Sequence, residues 1–174
     1  KYGLHVFSPD YEKFGLDDAA IDQTHSSPYV ANCSEAIVHF HHFVELVCKG
    51  LLREEHILLA DFTSSHHHLI LHKILNDEHL SDEDNQRLKS IQFKEALERL
   101  IILIKDKKIE TDGQWDFIVK GKNWLEHLGS LRNRLVHRGM FVLRYPALDK
   151  LFGEFALPFI KNVILTDRYA GMEK

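Results

Sequence analysis

A run of apolar residues at helical spacing constrains this chain more than any other feature. Ala36, Ile37, Phe40, Val44, Val47, Cys48, Leu51 and Leu52 recur in steps of three and four. At 3.6 residues per turn they share one face, which predicts a long amphipathic helix ending near His56. Ser27-Pro28 supplies its start, a serine at the N-cap with proline in the first turn. Four further stretches follow the same logic. Residues 64–75 turn Ile70, Leu71, Ile74 and Leu75 inward. A third helix opens among the acids of 81–84, which suit the positive end of the helix dipole, and carries Leu88, Ile91, Leu97, Leu100, Ile101 and Ile104. The fourth spans the residues after Asn123-Trp124-Leu125-Glu126, which has the form of a capping box, and Gly139 makes its C-terminal stop. Residues 115–120 form an extra turn ahead of it. The fifth opens at Pro146 with Leu148, Leu151, Phe152, Phe155, Phe159 and Val163 inward, and Pro158 should kink it. No stretch alternates convincingly as a strand. The expectation is an all-α fold, an antiparallel helical bundle of about five helices.

A chain of 174 residues fits one domain. Residues 1–26 mix aromatics with turn formers and read as an N-terminal strap, with a short helix within 16–23; 27–165 is the helical domain and 166–174 a tail. Residues 105–114 read as an exposed loop, with Thr111-Asp112-Gly113 as its turn. The longest apolar run, Leu100 to Ile104, is far below a membrane span. Cys33 and Cys48 fall on the first helix about 22 Å apart along its axis, beyond the reach of a disulfide. Reduced thiols and the lack of a secretory leader give a cytoplasmic expectation.

The formal net charge of −4 gives no global pull on nucleic acid, but charge is uneven along the sequence. Between Lys120 and Lys150 stand Lys120, Lys122, Arg132, Arg134, Arg138, Arg144 and Lys150 against Glu126 and Asp149 alone. Anionic ligands belong there first. On a wheel at about 100° per residue with Arg132 at zero, Trp124, Leu128, Leu131 and Leu135 cluster near −70°. Asn133 lies near 100° and His137 near 140°, with Glu126 and Ser130 in the same polar sector and Arg132 between the two. The chemistry follows from residue type. A histidine exchanges protons near neutrality, so His137 can deprotonate a 2′-hydroxyl or protonate a leaving oxygen. The Arg132 guanidinium is a permanent forked donor for a phosphate whose charge grows in the transition state. Asn133, one turn before His137, can fix the ring or bind a phosphate oxygen.

The segment Leu131-Arg132-Asn133-Arg134-Leu135-Val136-His137-Arg138-Gly139 resembles the signature of HEPN domains, an arginine followed four to six residues later by histidine. The layout of a long first helix, a motif helix and a closing helix is similar to that family from about 27 to 165. The resemblance implies a HEPN-like bundle in which Arg132 and His137 are the catalytic pair and Asn133 the supporting polar residue. Arg134, Arg138, Ser130 and Glu126 would then line the substrate. It implies a metal-independent endoribonuclease of the toxin or phage-defence kind, without a cofactor. Such enzymes cleave RNA by 2′-OH attack at a site shared by a homodimer and leave a 2′,3′-cyclic phosphate. An antitoxin or a fused or neighbouring domain is the partner such proteins carry. The alternative within the same family is an inactive module that binds RNA, a nucleotide or a protein.

Plainer readings stand beside these. Arg134 and Arg138 suit a solvated helix end, and His137 suits a C-terminal cap. His39, His41 and His42 on the first helix, and His66, His67, His68 and His72 on the second, read as surface or interface imidazoles rather than zinc ligands. His68 and His72, one turn apart, have a zinc-ligand spacing, but neither cluster has an adjacent Cys or carboxylate in a recognised spacing. Trp115 and Trp124 read as core. Gly121 and Gly129 lack the strand-turn-helix context of a phosphate loop.

Overall fold

A computed structural model describes residues 27–62, 67–109, 113–138 and 143–169, with the backbone alone for Ser27 and Arg138. The fold is all-α. Helix α1 spans Ser27–Glu55, α2 Ile57–Ala60, α3 His68–Leu75, α4 Asp82–Arg87 and α5 Phe93–Lys105. These are followed by α6 Asp116–Lys120, α7 Lys122–Arg138, α8 Tyr145–Lys150, a π-helical turn Leu151–Ala156, α9 Leu157–Ile164 and a 3₁₀ turn Asp167–Tyr169. Among the described residues no helix is long and apolar enough to cross a membrane. Residues 1–26, His66, Thr111, Asp112 and Gly139 lie outside the described residues, and with them the strap, the short helix within 16–23 and the glycine stop.

Contacts gather into two compact units. One holds α1 through Phe43 together with α6 onward; the other runs from Val44 through α5. In the second unit, Val44, Leu52, Leu97 and Leu100 are fully or almost fully buried, as the periodicity of α1 and α5 requires. Sequence reasoning expects one helix from the acids of 81–84 to Ile104. The structure instead breaks it, because tertiary hydrogen bonds outweigh local preference between Leu88 and Gln92. Asp61–Phe62 pairs antiparallel with Lys89–Ser90, and the Ile91 amide donates to the Ala60 carbonyl at 2.9 Å. Arg53 closes on the buried Asp61 through two hydrogen bonds of 2.7 and 2.9 Å. Arg99 donates to the carbonyls of Leu58 and Leu59. Ser81 caps α4 reciprocally with Asp84, and Lys73 reaches the same carboxylate at 2.7 Å.

The first unit is organised by aromatic rings. Phe159 meets Phe40, Phe43, Phe117 and Trp124 edge to face, with centroids 5.1 to 6.3 Å apart. Phe40 stacks parallel to Trp124, which also meets Phe155. Trp115 is buried and Trp124 half-buried, both within this cluster. Gly113, with φ of +78°, takes the left-handed conformation expected of the turn before α6. The kink expected at Pro158 takes the form of the π turn. Proline lacks an N–H and its ring crowds the carbonyl four residues back, so the preceding turn widens, and the Leu157 amide donates to Phe152, five residues behind. The residues assigned to a C-terminal tail are attached at least as far as Tyr169. Thr166 is buried, and Asp167 exchanges hydrogen bonds with Gln114.

Candidate functional site

Helix α7 carries the site, and its start differs from the expected capping box. Asn123 lies inside the helix, because the Leu125 amide finds the Gly121 carbonyl at 3.1 Å and α6 runs almost directly into α7. Glu126 pairs instead with Lys122 at 3.6 Å. The buried arc is also wider than the expected stripe. Leu125, Leu128, Leu131 and Leu135 are buried, as are Gly121 and Gly129, whereas Trp124 is half-buried. On the wheel this arc runs from about −100° to about +60°. Arg132 therefore emerges over the buried arc rather than beside it, and is half-buried.

Asn133 and His137 are exposed. Arg132 and His137 leave the helix about 140° apart and about 7.5 Å apart along its axis. One helix does not by itself aim both at one phosphate. The Arg132 side chain partly closes that gap, because its Nη1 donates to Oδ1 of Asn133 at 3.2 Å. This bond swings the guanidinium out of the buried arc into the sector that Asn133 shares with His137.

The other expected contributors divide. Ser130 stands exposed in the His137 sector, but its hydroxyl donates to the Glu126 carbonyl one turn back at 3.1 Å. The Glu126 carboxylate shares that sector and is held by Lys122. Arg134 is half-buried on the flank of α7 beside His127, which sequence reasoning did not single out. His127 and Arg134 are seven residues apart, two turns on one face, and that spacing was the available signal.

Tyr29 ties down the chain that leaves the motif helix. Its hydroxyl donates to the Leu143 carbonyl at 2.7 Å, and its ring lies 4.4 Å from that of Tyr145. Burial raises the pKa of Tyr29, with Cys33, Tyr145 and Asp149 adding to the effect. Burial likewise raises the Cys33 thiol, against its own hydrogen bonds to Leu143 and Tyr29. Cys48 is pushed up to about 12 by complete burial. Both cysteines are free and buried, which fits inert thiols rather than nucleophiles.

Of the histidines, His41 is buried, His39 is exposed beside Glu35 at 3.3 Å, and His72 lies 3.4 Å from Glu78. Among the described residues no group of three or more His, Cys, Asp or Glu is placed to hold a metal ion. The chain matches no family model, no curated protein and no solved structure.

Proposed function

We propose that this chain is a metal-independent endoribonuclease of the HEPN toxin or phage-defence type, built on a HEPN-like bundle and acting as a cytoplasmic homodimer. The observation that carries the reading is the Arg132–Asn133 hydrogen bond, which holds a guanidinium beside Asn133, on the flank of α7 that carries His137. His137 takes the proton from a ribose 2′-hydroxyl, the oxygen attacks the adjacent phosphorus, and the 5′-oxygen leaves with a proton. Arg132 holds the phosphoryl oxygens as charge builds on them. Because the two side chains diverge on one helix, a second copy of α7 across a two-fold supplies the opposing group, and the site is composite.

The test is cleavage of single-stranded RNA and of the matching DNA in EDTA, with light scattering to set the mass in solution. The wild-type dimer is expected to cut RNA and spare DNA. His137→Ala should lose about 10²–10⁴-fold in rate, and Arg132→Ala about 10²–10³-fold. A folded dimer that leaves RNA intact sinks this reading and favours an inactive module binding through the same face. A folded monomer that cuts RNA sinks the composite site.

A further inference from the structure

A groove of about 220 Å³ opens on the flank of α7, between that helix and the segment from Leu143 to the π turn. Leu131, Leu143, Leu151 and Phe155 make an apolar floor, with Ala147 beside them. His127, Arg134 and Lys150 stand at the rim, and no carboxylate is among the lining side chains. Lys150 has Glu154 at 4.0 Å, an exposed pair at the limit of contact that holds the ammonium only weakly.

The groove is shaped by two devices. The Tyr29 hydroxyl anchors the Leu143 carbonyl and so sets one wall. The π turn widens the backbone where Leu151 and Phe155 face the groove, and such turns recur at functional sites. Its size excludes a drug-sized ligand, for which pockets begin at about 300 Å³, yet exceeds the roughly 150 Å³ apolar cavity that accepts benzene. The lining holds no amide or hydroxyl side chain to read the edge of a nucleobase. An apolar floor under a cationic rim instead complements a short hydrocarbon body ending in a negative charge.

We propose that this groove binds a small amphiphilic carboxylate, its phenyl or alkyl body on the Leu131–Phe155 floor and its carboxylate at Lys150 on the rim. The site is independent of the ribonuclease reading and stands or falls separately from it. Calorimetric titration of the full chain with 3-phenylpropionate tests it, beside 3-phenylpropanamide and inorganic phosphate. The acid should bind saturably at one per chain. The neutral amide, and the acid with Lys150→Gln, should each bind about 10-fold more weakly, the worth of one charge-assisted contact. Ala147→Phe should fill the floor and abolish binding, and phosphate should not compete. Equal affinity for acid and amide, displacement by phosphate, or unchanged binding in folded Lys150→Gln protein would overturn the proposal.

Discussion

A methyl group added at Gly121 would stand 2.5 Å from Nε1 of Trp124 and 2.9 Å from the Phe117 carbonyl. The backbone carbonyl cannot shift cheaply, so Gly121→Ala should cost about 1–3 kcal/mol, read as a lower urea midpoint at unchanged slope. The sequence shows the glycine but not the indole folded over it. Asp84 was legible, since acids after Ser81 announce a helix start. Lys73, eleven residues earlier in the chain, was not. Hydrogen bonding by Lys73, then by Ser81, holds the Asp84 carboxyl down at about 2. The unfolded chain takes up that proton near pH 4, so Asp84 stabilises the fold above that value, and the contribution fades as pH falls from about 4 to about 2. In Asp84→Asn protein the urea midpoint should be lower at neutral pH and vary less across that window. Arg132 shows the limit of wheel reasoning. Its direction depends on how wide an arc is buried, and Leu125 and Gly129, the latter without any hydrophobic signal, extend that arc past Arg132.

Among the elements, long periodic helices were readable and their interruptions were not. Helix α1 follows its apolar spacing almost to the residue, because each buried position is a local consequence of the period. The break before α5 depends on a hydrogen bond to Ala60 and a two-residue ladder with Asp61–Phe62, partners about thirty residues away in the chain. Phe159 sits at the centre of the rings that hold α1, α6, α7 and α9 together within the first unit. Phe159→Ala should lose about 3–5 kcal/mol, measured by equilibrium denaturation. Pro158→Ala restores a donor for the carbonyl four residues back and should tighten the π turn toward an α-helix. The near-UV circular dichroism of Phe152, Phe155 and Trp124 should then change while the far-UV signal stays. An unchanged near-UV spectrum would show that ring packing, rather than the proline, sets the wide turn.

For the whole molecule, the proposed ribonuclease would draw RNA through the local excess of cations between Lys120 and Lys150, since the net negative chain offers no global field. The all-α class followed from periodicity alone. The pairing of Arg132 with Asn133 did not, because it depends on side-chain direction. The proposed reaction takes the 2′-hydroxyl as nucleophile, with His137 as the group that moves its proton. End-group analysis of RNA fragments tests that most directly. The wild-type protein in EDTA should leave 2′,3′-cyclic phosphate and 5′-hydroxyl ends, with none from His137→Ala or from RNA carrying a 2′-deoxy residue at the cut. Fragments ending in 3′-hydroxyl and 5′-phosphate, or undiminished cyclic phosphate from His137→Ala, would contradict it.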